Sequence, residues 1–248
     1  MSLVEARGIS KRYRRGGLQA DALRDVSFTL EDGEILGIVG ESGSGKSTLL
    51  KLLSGLEKPD RGEFLLEGKP LPAKRTKEQY RAMQMIFQDA SGSFQPRRRV
   101  SASIRDAVKS LCGRAAEPDL EGLCALVGLS PALAERYPRE LSGGQCQRFA
   151  IARAVAAGPR ILLCDEITSA LDVSTQAQVL RLLADICREK KMAALFVSHD
   201  LAAVSCLCSR VIVLERGAVV EEGPVGRVIG APKEAYTKRL LDSVLEVT

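Results

Sequence analysis

Residues 40–48 read Gly-Glu-Ser-Gly-Ser-Gly-Lys-Ser-Thr, directly after the apolar run Ile35-Leu36-Gly37-Ile38-Val39 and ahead of Leu49-Leu50-Lys51-Leu52-Leu53. The stretch fits G-x-x-x-x-G-K-[ST] and stands where that pattern has chemical meaning, between a strand-like run and a helix-like one. Small residues let consecutive backbone N–H groups turn inward around a phosphate, and glycine supplies the positive φ angles that such a turn needs. The helix that follows adds the partial positive charge of its N-terminus, and Lys46 adds a full one. The reading is a cradle for the phosphates of a nucleotide. It is formed by Gly40, Glu41, Ser42, Gly43, Ser44, Gly45, Lys46, Ser47 and Thr48, with the Ser47 hydroxyl available to Mg²⁺.

Outward from the cradle, the chain alternates strand and helix signals. Two strand-like stretches precede it: residues 3–9 (LVEARGI), and residues 26–30 (VSFTL), which alternate apolar and polar side chains. The helix after it carries Leu49, Leu52, Leu53 and Leu56 at i, i+3, i+4, i+7 spacing. Residues 83–89 (MQMIFQD) form another short apolar run. From Ala90 to Ala157 the pattern becomes helical with charged faces and breaks at Pro96, Pro118, Pro131 and Pro138. Strand character returns in residues 160–166 (RILLCDE), 192–200 (MAALFVSHD) and 210–217 (RVIVLERG). Between the first two of these a helix starts near Val173, with Val179, Leu182, Leu183 and Ile186 as its apolar stripe. Near-continuous apolar strands that alternate with helices imply an α/β fold with a largely parallel sheet covered on both faces.

Asp165 and Glu166 end an apolar strand, where open parallel sheets place their ligands. Adjacent carboxylates there suit different tasks: Asp165 holds Mg²⁺ through water, and Glu166 orients and polarises an attacking water. The most specific stretch is residues 141–145, Leu-Ser-Gly-Gly-Gln, which residue frequencies alone would produce in on the order of one chain in several thousand. With Ser142, Gly143, Gly144 and Gln145 at the start of a helical pattern, it reads as a second anion site built of backbone N–H groups and a hydroxyl.

With Leu141–Gln145 placed between the cradle and the acidic strand end, the chain resembles the ATP-binding cassette (ABC) family over nearly its whole length. The resemblance implies a single nucleotide-binding domain. Residues 1–89 and 158–248 would form its RecA-like core with an N-terminal antiparallel β subdomain, and residues 90–157 an inserted α-helical signature subdomain. It implies ATP and Mg²⁺ as ligands and ATP hydrolysis as the activity. Tyr13 would stack on adenine. Gln88 would be the Q-loop glutamine that touches Mg²⁺ and water. Ser169–Asp172 would be the D-loop, with Asp172 near the nucleotide. His199, the chain's only histidine, would be the switch residue on the γ-phosphate, at the sheet edge that also carries the cradle and Asp165-Glu166. In the family the signature caps the γ-phosphate bound to the other protomer, so two cassettes close head to tail on two ATPs.

The segments FQDASGSFQPRRRV (87–100), EITSALDVSTQAQVL (166–180) and APKEAYTKRLL (231–241) resemble those of the peptide and nickel importer group. Ile167 stands where that group has Pro, and Phe94-Gln95 where it has Leu-Asn. The resemblance implies a second, different ATPase subunit, two transmembrane permease subunits and, indirectly, a solute-binding protein. It also implies a peripheral place on the cytoplasmic face of the inner membrane. Ending at Thr248 without a cysteine-bearing extension, the chain is expected to be closest to a nickel or metal-chelate importer, with di- or oligopeptides the other substrate class. The alternative is a non-transport ABC ATPase of the cell-division type. A small-molecule kinase has no use for the signature.

The bulk properties fit this reading. The 248 residues are 45% hydrophobic and 27% charged, an ordinary globular balance. A net charge of +5 suits a phosphate ligand but is too small to argue for nucleic acid. Seven cysteines without a C-x-x-C pair, beside one histidine, form no zinc pattern, and reduced thiols are expected. The N-terminus shows no secretory h-region, and no stretch approaches the roughly 20 apolar residues that span a bilayer.

Overall fold

The computed structural model describes residues 2–15 and 18–245. In chain order the elements are β1 (Ser2–Arg15), β2 (Leu18–Glu31), β3 (Ile35–Val39), α1 (Lys46–Ser54), β4 (Arg61–Leu66) and β5 (Lys69–Pro70). Next come α2 (Lys77–Ala82), β6 (Met83–Ile86), α3 (Val100–Cys112), α4 (Leu120–Leu126), α5 (Pro131–Ala134), α6 (Gly143–Val155), β7 (Ile161–Asp165) and α7 (Val173–Lys190). The last are β8 (Ala193–Val197), α8 (Leu201–Leu207), β9 (Arg210–Glu215), β10 (Ala218–Pro224), α9 (Val225–Gly230) and α10 (Ala235–Leu245). They group into two compact units, one of residues 76–192 and the other of the residues on either side of them.

The flanking residues form the first unit. Its antiparallel sheet has the order β2-β1-β4-β5. In it Val4 faces Leu30, Ala6 faces Phe28 and Ile9 faces Val26, all six buried. A bulge between Ala6 and Ile9 lets the buried face pass from even to odd positions without losing register. The hairpin strands are far longer than the alternating stretches in the sequence suggest. Cross-strand pairing carries charged residues such as Arg12, opposite Asp21, into the ladder. The second sheet of this unit runs β8-β3-β9 in parallel, as the apolar runs imply, with β10 antiparallel on β9. All of β8 is buried, and so are Leu36, Ile38 and Val39 of β3. Helix α8 packs closely on β3, where a Cβ at Gly37 would stand 2.8 Å from Cγ1 of Val204.

Helix α1 buries Leu49, Leu50, Leu52 and Leu53 and packs against β2 and β8. It stops earlier than the leucine spacing implies. Gly55 adopts the left-handed conformation, returns its N–H to the Leu52 carbonyl and leaves Leu56 exposed.

The second unit is built around α6. Cys146, Gln147, Phe149, Ala150, Ile151, Ala152, Ala154 and Val155 are all buried, so this helix is covered on every side. Its neighbours are α3, α4, α7 and β6, and β6 pairs in parallel with β7. The stripe foreseen on α7 is present at Val179, Leu183 and Ile186, while Leu182 is half-buried.

Phe149 is fully buried at the centre of this unit. Phe149→Ala removes a ring that its backbone neighbours cannot fill, at a cost of about 3–5 kcal/mol. At this chain length the expected fall in thermal midpoint is roughly 6–20 °C, measured by scanning calorimetry or circular dichroism.

Candidate functional site

In the first unit the cradle is the turn by which β3 enters α1. The first helical bond of α1 runs from the Leu49 N–H to the Gly45 carbonyl, 2.9 Å. Gly45 has φ 109°, and a Cβ there would strike the Ala22 carbonyl and stand 2.8 Å from Cδ2 of Leu23. Only glycine serves at that position. Lys46 is 4% exposed, and its Nζ donates to the carbonyls of Gly40 (2.7 Å) and Glu41 (2.9 Å). The Gly217 N–H donates to the Ser44 carbonyl at 2.9 Å, which ties the cradle to the β9–β10 turn. The Ser44 hydroxyl is buried without a protein hydrogen-bond partner. A buried orphan hydroxyl, an ammonium resting on carbonyls and a turn closed to any Cβ are what a cradle for an anionic group needs.

Tyr13, on the same unit, donates its hydroxyl to the Glu57 carboxylate and also lies against Thr48 of the cradle. Burial, and then the Glu57 carboxylate, hold the phenol above its ordinary pKa, so it stays neutral. A cleft of about 720 Å³ opens beside the ring, lined also by Lys11, Arg14, Leu23 and Arg24. His199 follows β8 and is exposed. Its position is fixed on both sides. The Ser198 N–H donates to Ile38 of β3 at 3.2 Å, and the Asp200 carboxylate caps α8 through the Ala202 and Ala203 N–H groups at 2.8 and 3.1 Å. The backbone of residue 199 is thereby placed beside the end of the strand that delivers the cradle.

The second unit gathers Gln88, Asp165, Glu166 and Ser169. Asp165 is the buried last residue of β7. Glu166 takes a left-handed backbone, φ 46°, a strained state for a non-glycine residue that turns the chain sharply off the strand. The Gln88 amide nitrogen donates to the Ser169 hydroxyl at 3.2 Å and approaches the Glu166 carboxylate at 3.5 Å. Ser169 closes the cluster by donating to the Glu166 carbonyl at 2.9 Å. A residue of the D-loop segment thus holds the glutamine, a contact that no spacing rule signals.

The signature folds as a capping box. The Ser142 hydroxyl accepts the Gln145 N–H at 3.2 Å, and the Gln145 side chain accepts the Ser142 N–H at 3.0 Å. Capping uses an acceptor site of the serine oxygen and leaves its O–H as a donor. A cavity of about 280 Å³ is lined by Gln88 and Ala90, by Gly143 and Gln147 of α6, and by Ile167 and Leu171. Asp172 caps α7 through the Thr175 N–H, which holds its carboxyl below the ordinary range. One carboxylate oxygen of the expected nucleotide residue is therefore engaged in the fold. Arg153 of α6 donates to the Ser93 carbonyl (2.6 Å) and hydroxyl (2.9 Å), with its guanidinium 4.3 Å over the Phe94 ring. Phe94 is thus the platform for a largely buried arginine.

The model of the ABC transporter family matches residues 23–169, from β2 through the cradle and signature to the D-loop. The chain belongs to the ABC transporter family. The cassette is 45% identical over 237 residues to the nickel import ATP-binding protein NikE of Rhodospirillum rubrum, covering 90% of this chain and 84% of that protein. It is 44% identical over 230 residues to the oligopeptide transport ATP-binding protein OppF of Haemophilus influenzae, covering 90% and 69%. Among solved structures it is similar to the ATP-binding cassette MJ0796 in a dimeric post-hydrolysis state bound to ADP and Pi. That match has TM-score 0.79 and 30% identity over 90% of this chain and 98% of the other. The α/β cassette fold with its N-terminal antiparallel sheet follows, and so does the activity class: the cassette is an ATPase.

Gly45→Ala cannot keep the present turn. The expected result is loss of measurable ATP binding by isothermal titration with the β-sheet signal in circular dichroism retained. Wild-type affinity in that variant would remove the cradle from the site.

Proposed function

We propose that this cassette is the ATP-binding and ATP-hydrolysing subunit of an import system for nickel, a related metal chelate, or di- and oligopeptides. The observation that carries the hydrolytic reading is the cluster at the end of β7, where Gln88 and Ser169 hold the strained Glu166 beside the buried Asp165. The import reading rests on similarity to NikE and OppF over nine-tenths of the chain.

The first unit supplies recognition. The base stacks on Tyr13, and the cradle N–H groups from Gly43 to Thr48 donate to the phosphates. Lys46 exchanges its carbonyl partners for β- and γ-phosphate oxygens. A hydrogen bond between an ammonium and a phosphate oxygen is charge-assisted, which strengthens the contact. His199 donates to the γ-phosphate and so fixes its orientation. The second unit supplies the water chemistry. Glu166 accepts a hydrogen bond from the attacking water and orients it, and Gln88 keeps that carboxylate in place.

The first unit would offer Mg²⁺ the Ser47 hydroxyl, and the second the Asp165 carboxylate and the Gln88 carbonyl oxygen, all hard oxygen donors. Mg²⁺ keeps several waters, so few protein ligands suffice. When bound, it neutralises charge on the transferring phosphoryl group.

Ser142, Gly143, Gly144 and Gln145 cap the γ-phosphate held by a second ATPase subunit, so the working form is a head-to-tail pair, here with a different chain as partner. Two transmembrane permease subunits and a solute-binding protein complete the system, on which this subunit is peripheral at the cytoplasmic face of the inner membrane. No nucleic acid is involved. Among the described residues no helix is long and apolar enough to cross a membrane. Co-purification with two polytopic permeases is the expected outcome. Recovery with a peptidoglycan-hydrolase complex would overturn the import reading.

Glu166→Gln keeps the hydrogen-bonding shape but loses the charge. Steady-state hydrolysis should fall by roughly 10²–10⁴-fold while ATP affinity is kept and a nucleotide-bound dimer accumulates in size-exclusion chromatography. Lys46→Ala loses a charge-assisted contact and should weaken ATP binding by roughly 10- to 100-fold. Near-normal turnover in the first variant, or unchanged affinity in the second, would remove that residue from its role.

A further inference from the structure

The last helix reaches the phosphate cradle through one side chain. Tyr236, in the first turn of α10, is 5% exposed, and its hydroxyl oxygen accepts the N–H of Glu41 at 3.0 Å, across 195 residues of sequence. Glu41 is the second residue of the cradle. Its carbonyl accepts from the Ser44 N–H (3.1 Å) and from Lys46 Nζ (2.9 Å). The backbone of this residue is therefore held twice, by the phenol at its N–H and by the cradle's own lysine at its carbonyl.

The phenol is itself anchored. Glu221 of β10 is buried, and its two carboxylate oxygens accept the N–H groups of Lys233 (3.0 Å) and Glu234 (3.2 Å), just before α10. Burial alone would raise the Glu221 pKa, but the Lys233 N–H, the Thr237 side chain and the Glu234 N–H together hold the carboxyl below its ordinary range. Two sets of hydrogen bonds, joined by the short stretch of chain from residue 234 to residue 236, thus link β10 to the cradle. Beside it lies an open cavity of about 270 Å³, lined by Glu41, Ser42, Ser44, Tyr236 and Arg239.

We propose that Tyr236 is a positioning residue for phosphate binding, fixing the Glu41 peptide so that the N–H groups of the following residues are presented to the phosphates in one arrangement. The inference rests on the reading of residues 40–48 as the nucleotide cradle. A loop rich in glycine loses much conformational freedom when it orders around a ligand, so an anchor that orders it beforehand strengthens binding. The group affected is the phosphate chain. The base, held at Tyr13, does not depend on this anchor.

Tyr236→Phe removes one hydroxyl and keeps the ring that fills the site. The full-length protein is titrated with a non-hydrolysable ATP analogue and, separately, with adenosine. The triphosphate should bind about 3- to 10-fold more weakly, because the ligand must then order the loop that the anchor had ordered beforehand. Adenosine affinity should stay at the wild-type value, and the nucleotide-free thermal midpoint should fall by only about 1–6 °C, the loss of one hydrogen bond. Glu221→Gln, which weakens the same link from its far end, should shift triphosphate affinity in the same direction by less. Unchanged triphosphate affinity in Tyr236→Phe overturns the proposal, as does equal weakening of triphosphate and adenosine, which marks a merely structural tyrosine. Lys46→Ala is the control: if it binds the triphosphate like wild type, the cradle reading fails, whatever Tyr236 does.

Discussion

A buried ammonium is the constraint on which the first unit is built. Lys46 is almost out of contact with solvent and leans on the carbonyls of Gly40 and Glu41. These bonds fix the ammonium at the mouth of the turn between β3 and α1. To hold such a group, the turn between β3 and α1 must be rigid. The structure makes it so by burying β3 between two parallel neighbours, closing the turn with Gly45 where a Cβ cannot fit, and pinning its outer surface at Ser44 from Gly217 and at Glu41 from Tyr236. Each pin comes from a different part of the chain, and none of them uses the N–H groups that the phosphates need.

The second unit carries a strained turn of its own, at the carboxylate residue that follows β7. Glu166 leaves β7 in a left-handed conformation that costs of order 1–3 kcal/mol and is met by the Gln88 amide and by Ser169 through its carbonyl. Strain confined to the residue after a fully buried strand is supported by the strand. α6 gives the support its reach: one end is the capped signature, and Arg153 further along grips Ser93 and stacks on Phe94, in the segment that follows Gln88. The glutamine's own loop is therefore tied to the helix that carries the signature.

What could be read from the sequence was whatever local chemistry dictates. Residues 40–48 announce a phosphate turn because glycine, lysine and hydroxyl are needed at fixed offsets, and the apolar strands announce a parallel sheet because both of its faces are covered. Where one residue overrides a pattern, the reading fails. Leu56 continues the leucine spacing of α1, but Gly55 ends the helix one residue earlier. The long β1–β2 hairpin is hidden because its outer half is charged and held by pairing across strands. Partners distant in sequence leave no trace at all. Ser169 against Gln88 and Tyr236 against Glu41 are contacts between residues that sequence reading noted separately, inside segments marked only as resembling a family group. Phe94 stands where the importer group has Leu, and the guanidinium of Arg153 above it supplies the reason for a ring there.

The helix caps show how the cassette keeps its donors available. Ser142, Asp172 and Asp200 each accept backbone N–H groups at the start of a helix, which satisfies the fold with acceptor oxygens. At the signature this leaves the Ser142 O–H and the first glycine N–H groups outside any intrahelical bond. At α1 the cap is different, because Gly45 has no side chain to accept anything and the first N–H groups keep their full donor capacity. A helix start capped by a side chain can adjust to its anion through a hydroxyl. One capped by glycine offers only fixed backbone. Of these helix starts, the glycine-capped α1 presents backbone donors in one fixed arrangement, and the serine-capped α6 adds a hydroxyl that can turn toward whatever lies before it.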